Sequence, residues 1–131
     1  MPTELTILAL GALLLFVHIV VAGQFKTAQY GRKWNMGARD EALPPPNAMT
    51  GRTMRAQANF QETFPIAVVA LLGVVIAQRT NQWTMLGGWI WLGARVAYLP
   101  LYAAGVRVVR TIVYAMSMIG LAMVLKPMLF G

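Results

Sequence analysis

Residues 50–77 read TGRTMRAQANFQETFPIAVVALLGVVIA, a helical pattern whose first half is polar and whose second half is apolar. The polar half holds arginines, an asparagine and a glutamate, whereas no charged residue lies between Glu62 and Arg79. Charge is costly inside a bilayer, so ionisable residues within a membrane helix indicate a functional site by default. We therefore interpret this stretch as a membrane helix with a polar site in its first three turns.

The composition of the whole chain indicates a membrane protein of one domain, residues 1–131. Hydrophobic residues make up 58% and charged residues 11%, whereas soluble domains carry about 25% charged residues. The chain has no cysteine, which excludes a disulfide, a thiolate metal site and a cysteine nucleophile. One histidine and four acidic residues provide few candidate metal ligands, so no metal site is expected. The basic residues cluster between apolar runs, which favours a membrane surface over a nucleic-acid partner.

Four apolar runs are each about as long as a membrane-crossing helix, which needs roughly 20 residues. We predict spans at about residues 5–24, 51–78, 83–102 and 108–129. The first run is not preceded by lysine or arginine, so we interpret it as a permanent helix and not a signal peptide. Residues 25–49, which contain three consecutive prolines, are expected to form one long polar connection. The expected fold class is all-α, an integral membrane four-helix bundle.

The basic residues also predict the orientation of the bundle. The first and third connections hold most of them, and the positive-inside rule places these connections in the cytoplasm and both termini outside. The other side carries only Glu4, Arg79 and Lys126. Tryptophans near the outer end of the third span are expected to act as interfacial anchors; they are Trp83, Trp89 and Trp91.

Polar residues recur at helical spacing in three of the four spans. At about 100° per residue, spacings of three and four place such residues on one face of each helix. All three faces lie toward the predicted cytoplasmic end, so they can converge at one depth. The members are Arg52, Arg55, Asn59 and Glu62; Arg95, Tyr98 and Tyr102; and Arg107, Arg110 and Tyr114, with Thr111 on the flank.

The surplus of arginine on converging faces implies an anionic ligand, and the one glutamate implies that this ligand also carries a cation. Alternatively, Glu62 forms a purely structural pair with one arginine, which would leave the other arginines without partners. For Arg52, Arg107 and Lys33 we favour simple contacts to lipid phosphates. His18, alone in the middle of the first span, is interpreted as a helix–helix hydrogen bond and not as a ligand.

Two motifs resemble the MAPEG family, the membrane-associated proteins of eicosanoid and glutathione metabolism, in a bacterial-type form. The stretch from Arg55 to Pro65 matches every fixed position of the family pattern R-A-x-x-N-x-x-E-x-x-P. The block from Arg95 to Tyr114 is similar to the corresponding block of the family's prostaglandin synthase. The end of the first helix, Gly23 to Lys26, is similar too, with a lysine where that enzyme has arginine.

The resemblance implies a homotrimer assembled around the second helices, with glutathione bound between neighbouring subunits on the cytoplasmic side. Arg110 would stabilise the glutathione thiolate and Thr111 would donate a second hydrogen bond. The connection before Arg110 is one residue shorter than in the prostaglandin synthase, so Arg107 is the alternative to Arg110. The remaining implied binding residues are Arg55, Asn59, Glu62, Arg95, Tyr98, Tyr102 and Tyr114, with Lys26 peripheral and Gln57 a further candidate.

The function implied is that of a glutathione transferase or peroxidase acting on lipophilic electrophiles or hydroperoxides, with glutathione as co-substrate. The cofactor's sulfur would supply the nucleophile that the chain itself lacks. An alternative is a non-catalytic member that keeps the fold as a binding or assembly module. A small multidrug efflux protein fits less well, because the first span offers only His18 where such a pump needs a carboxylate. The expected location is a bacterial inner membrane.

Overall fold

The computed structural model describes all 131 residues, and the chain is entirely helical. The five helices are α1 (Thr3–Tyr30), α2 (Arg32–Met36), α3 (Ala48–Ile76), α4 (Gln82–Ala103) and α5 (Val108–Phe130). Three of them, α1, α3 and α5, are long and apolar enough to cross a membrane. The chain is therefore an integral membrane protein. The expected span at 83–102 is the helix α4, but its glycines, tryptophans and Arg95 lower its mean hydropathy, and it is not among those three.

The first connection contains more helix than the sequence predicts. The helix α1 continues six residues past the expected end of its span, and the short helix α2 follows it. Residues 25–30 contain neither proline nor glycine, so nothing in them interrupts the α1 hydrogen bonds. The break comes at Gly31, whose φ of 94° is a backbone conformation that favours glycine.

Side chains at the end of α1 hold the proline segment that leads into α3. The amide of Gln29 donates to the carbonyl of Pro45 at 3.1 Å, and the hydroxyl of Tyr30 donates to the carbonyl of Pro44 at 2.9 Å. The backbone N–H of Asn47 donates back to the Gln29 side chain at 2.9 Å. Asn47 then caps α3 by accepting from the N–H of Thr50. These bonds fix the start of α3 and thus the position of its polar turns.

The core lies among α1, α3, α4 and α5, and aromatic rings fill its centre. Trp91 is fully buried and lies against the rings of Phe60 and Phe64. The prediction that Trp91 is an interfacial anchor is therefore wrong, because its position on α4 faces the other helices. Trp83 and Trp89 are exposed.

His18 is also part of this core. Its ring stacks on Phe60 with 4.9 Å between centroids, and neither ring nitrogen has a hydrogen-bond partner. The interpretation of His18 as a helix–helix hydrogen bond is therefore wrong. His18 of α1 contacts α3 by stacking on Phe60 instead.

A buried hydrogen bond joins α1 to α4 at the opposite end of the bundle from the polar turns of α3. The hydroxyl of Thr84 donates to the carboxylate of Glu4 at 2.6 Å, and Glu4 is only 2% exposed. The same hydroxyl accepts from the N–H of Asn81 in a capping box. Thr84 thus helps to cap the start of α4 and holds α1 beside it.

We expect the substitution Thr84→Val to lower the free energy of unfolding by about 1–3 kcal/mol, because it leaves the buried Glu4 carboxylate without a donor. Unfolding of the protein in detergent, followed by circular dichroism during heating, measures the change. Thr80→Val, an exposed position of the preceding connection, is the matched control and should leave stability unchanged. Equal stability of the two variants would show that the Glu4–Thr84 bond contributes nothing.

Candidate functional site

A cavity of about 420 Å³ opens between α3, α4 and α5 at the end of the bundle where α3 begins. Each helix contributes residues from one of its polar faces, although Arg52, Arg95 and Arg107, which belong to the same predicted faces, are not in the lining. The lining residues are Arg55, Ala58, Asn59 and Glu62 from α3; Tyr98 and Tyr102 from α4; and Arg110, Thr111 and Tyr114 from α5. Eight of these nine are candidates from the sequence, and their functional roles remain predictions.

Two arginines lie against the same tyrosine ring. The guanidinium carbon of Arg110 is 4.5 Å from the centroid of Tyr102, and that of Arg55 is 6.0 Å from it. Both distances are within the range of cation–π attraction. The Tyr102 ring therefore positions two positive groups at the same cavity.

Glu62 brings a negative group to the same cavity. It is exposed, and no side-chain hydrogen bond of the chain joins it to an arginine. The carboxylate and the two guanidinium groups therefore all face the cavity free to contact a ligand. Asn59 adds an acceptor, because its side-chain oxygen is buried and has no hydrogen-bond partner.

Arg95 lies behind the cavity wall, not in its lining. The side chain is fully buried, and none of its three nitrogens has a hydrogen-bond partner. Its guanidinium lies over Tyr98 at 4.4 Å, Phe60 at 5.1 Å and Tyr114 at 5.6 Å. The rings offer their negative faces to the cation, so Arg95 supports the wall that Tyr98 and Tyr114 present to the cavity.

Three other candidates lie outside the cavity lining. Arg107 is exposed at the start of α5, and Lys26 is half-buried near the end of α1. Gln57 is half-buried on a different face of α3, because two residues correspond to about 200° around a helix. Thr111 does line the cavity, but its hydroxyl donates to the carbonyl of Arg107 at 3.0 Å. It must rotate before it can donate to a ligand.

Two residues near the cavity have roles that were not predicted from the sequence. Ala58 lines it, and its signal in the sequence is its position three after Arg55 and four before Glu62 on the same face. Arg52 donates to the carbonyl of Ala103 at 3.4 Å and packs over Gly105, which has a φ of 77°. Arg52 therefore caps the end of α4, and its contact with lipid phosphates remains a prediction.

The arrangement can bind a small molecule that carries both anionic and cationic groups. Arginine binds carboxylates with paired hydrogen bonds, and Glu62 suits an ammonium group. Side chains of this cavity offer no thiol, so any sulfur nucleophile must come from the ligand.

Comparison with known proteins gives one result. The family model described as the MAPEG family matches residues 5–127. No curated protein and no solved structure matches the chain.

Proposed function

The chain belongs to the MAPEG family, and from this premise we propose that it is a glutathione-dependent membrane enzyme, a transferase or peroxidase. The observation that carries the proposal is the meeting of Arg55, Arg110 and Glu62 in one cavity. The ammonium group of glutathione matches the carboxylate of Glu62, one of its carboxylates matches the guanidinium group of Arg55, and its thiolate matches that of Arg110. The cavity, about 420 Å³, is within the usual size range of small-molecule sites, roughly 300–1,000 Å³.

The proposed chemistry requires the thiolate of glutathione. A free thiol of the cysteine type has a pKa of about 8.5, and the thiolate is the reactive form. A fixed positive charge beside the sulfur stabilises the thiolate relative to the thiol. We assign this role to Arg110, which lines the cavity, and not to Arg107, which is exposed outside it.

The second substrate would be a lipophilic molecule that enters from the bilayer. With an electrophile, the thiolate sulfur forms a bond to carbon and the leaving group departs with the electron pair. With a hydroperoxide, the thiolate attacks the outer oxygen, the O–O bond breaks and an alcohol is released. The sulfur keeps the attacked oxygen as a sulfenic acid, and the alkoxide leaves as the alcohol after taking a proton from solvent. The thiol of a second glutathione then displaces the hydroxyl group as water and forms the disulfide, so that two thiols are oxidised for each peroxide reduced.

The fourth span and the trimer belong to the same proposal. The helix α4 has 22 residues, which is about 33 Å at 1.5 Å per residue and long enough to cross. On α3, apolar residues that include Ile66, Val69 and Ile76 are exposed, and Glu62 is exposed on the same helix. We infer that further copies cover this face in a homotrimer, and that a neighbour's α1 brings its Lys26 toward the cavity. The basic connections would face the cytoplasm of a bacterial cell.

The role of Glu62 can be tested through the ligand's ammonium group. We expect Glu62→Gln to weaken glutathione binding about 10- to 100-fold, since a hydrogen bond to a charged group contributes about 1.5–3 kcal/mol. N-acetylated glutathione, which lacks the ammonium group, should bind the wild-type protein just as weakly. Replacing Glu62 should weaken the binding of N-acetylated glutathione little further. Calorimetry on the two proteins with each of the two ligands measures the coupling between Glu62 and the ammonium group.

If the substitution and the acetylation each lower the affinity by the same factor whether or not the other is present, Glu62 does not contact the ammonium group. Gln61→Ala provides the matched control, because Gln61 is exposed beside Glu62 and does not line the cavity. Its affinity for glutathione should equal that of the wild type.

Turnover itself separates an enzyme from a binding module. The purified protein in detergent is supplied with glutathione and either an activated aryl halide or a lipophilic alkyl hydroperoxide. Formation of the thioether or of glutathione disulfide above the uncatalysed rate supports the enzyme. Binding of glutathione without either product would support the non-catalytic alternative.

A further inference from the structure

A second cavity, of about 500 Å³, lies at the opposite end of the bundle from the candidate site. It is formed where α4 begins and α5 ends. Its walls include the side chains of Asn81, Trp83, Met123, Lys126, Pro127 and Phe130. None of the residues proposed to bind glutathione contributes to it, so it is separate from the candidate site, although its place in the membrane rests on the proposed crossing by α4.

One face of α5 forms most of this cavity. Met123, Lys126, Pro127 and Phe130 follow each other at spacings of three, one and three, which places them on one side of the helix. Trp83 and Phe130 are 65% and 82% exposed. Two large aromatic side chains thus flank a groove that also contains a lysine.

Hydrogen bonds fix the geometry of this groove. The guanidinium of Arg79 donates to the carbonyl of Pro127 at 3.0 Å, so the connection before α4 is tied to the end of α5. The side chain of Asn81 caps α4 by accepting from the N–H of Thr84 at 3.0 Å. The two helix ends are therefore held together without a ligand.

The charge in the groove is positive. Lys126 is the charged side chain that lines it, and it is exposed. Glu4 lies at this end of the bundle but is buried and accepts the hydrogen bond from Thr84. Its carboxylate is thus already engaged, and no side-chain carboxylate lies among the lining residues, which also include Gly131.

The four proposed spans place the groove at the depth of a membrane surface. It is bounded by the first residues of one membrane helix and the last residues of another. Tryptophan is enriched at that depth, where its ring contacts both headgroups and acyl chains. Lysine near a membrane end extends its ammonium toward the headgroups.

We propose that this groove binds an anionic phospholipid of the leaflet opposite the candidate site. The lipid phosphate contacts Lys126, and the first part of an acyl chain lies between Trp83 and Phe130. The apolar walls favour a lipid over a free phosphate, because a soluble anion would leave the aromatic surfaces uncovered. The cation favours an anionic headgroup over a zwitterionic one.

Quenching of tryptophan fluorescence by brominated lipids tests the proposal. The full-length protein is reconstituted in phosphatidylcholine vesicles that contain either brominated phosphatidylglycerol or brominated phosphatidylcholine. The difference between the wild type and Trp83→Phe isolates the signal of Trp83. We expect phosphatidylglycerol to associate about fivefold more strongly at Trp83, the factor expected for one cation near a membrane surface.

Lys126→Gln should remove this preference, whereas Lys33→Gln, an exposed lysine of the first connection, should keep it. Equal quenching by the two brominated lipids in the wild type would overturn the proposal. A preference that survives Lys126→Gln would overturn the assignment of the cation. Loss of the preference on addition of inorganic phosphate, but not of the same ionic strength of chloride, would show a free-anion site instead.

Discussion

Replacing Arg110 with alanine is expected to lower turnover with glutathione by about 10²- to 10³-fold, the usual cost of removing one group that stabilises a reacting anion. Arg110 lines the cavity, and its guanidinium carbon lies 4.5 Å from the centroid of the Tyr102 ring, which positions its charge at the cavity. The ultraviolet absorbance of the thiolate should fall with the rate, because the same charge favours both. Arg107→Ala removes an equal charge three residues earlier on an exposed position and should change neither quantity.

The two variants also decide between the candidate arginines. A large loss in Arg107→Ala with little change in Arg110→Ala would assign the thiolate to Arg107 and contradict the geometry of the cavity. Retained glutathione binding in Arg110→Ala, measured by calorimetry, separates loss of thiolate stabilisation from loss of the ligand.

Replacing Gly87 with alanine is expected to destabilise the bundle by about 1–3 kcal/mol or more, the range for overpacking a tight interior. A Cβ atom on Gly87 would lie 2.5 Å from the backbone oxygen of Gly120 and 2.8 Å from the Cβ of Met123. Because the nearest atom belongs to the backbone, α4 and α5 must separate to accept the methyl group. Small residues at such crossings let membrane helices approach closely.

Gly93→Ala is the matched control on the same helix. Nothing lies within 4 Å of a Cβ at that position, so alanine should stabilise the helix by roughly 0.5–1 kcal/mol through lower backbone entropy in the unfolded state. The unfolding temperature in detergent should therefore fall for Gly87→Ala and rise for Gly93→Ala. If the two substitutions both raise or both lower the unfolding temperature, the close packing of α4 on α5 is contradicted.

The candidate site could be predicted from the sequence because it depends on local periodicity. Arg55, Asn59 and Glu62 share a face of α3 by spacing alone, and Arg110 and Tyr114 share a face of α5 in the same way. Because the rest of each span is apolar, these polar faces are expected to turn toward other helices and not toward lipid. Their convergence at one depth follows from the direction of the helices along the chain, whereas the packing of α3, α4 and α5 around one cavity does not.

Other features depend on which helices are neighbours, and spacing does not determine that. Arg95 lies behind the wall because Phe60 of α3 and Tyr114 of α5 cover it from both sides. Trp91 and His18 are core residues for the same reason, since both lie against Phe60. The bond from Thr84 to Glu4 joins residues 80 positions apart, and no local pattern indicates it.

Glutathione binding by the wild-type protein tests the central claim most directly. The purified protein in detergent is titrated with glutathione by calorimetry up to millimolar concentrations, and ultraviolet absorbance of the thiolate is recorded at saturation. We predict saturable binding together with a thiolate signal near neutral pH, below the pKa of about 8.5 that a free thiol has. No heat of binding and no thiolate absorbance at millimolar glutathione would contradict the proposal that the cavity of Arg55, Glu62 and Arg110 is a glutathione site.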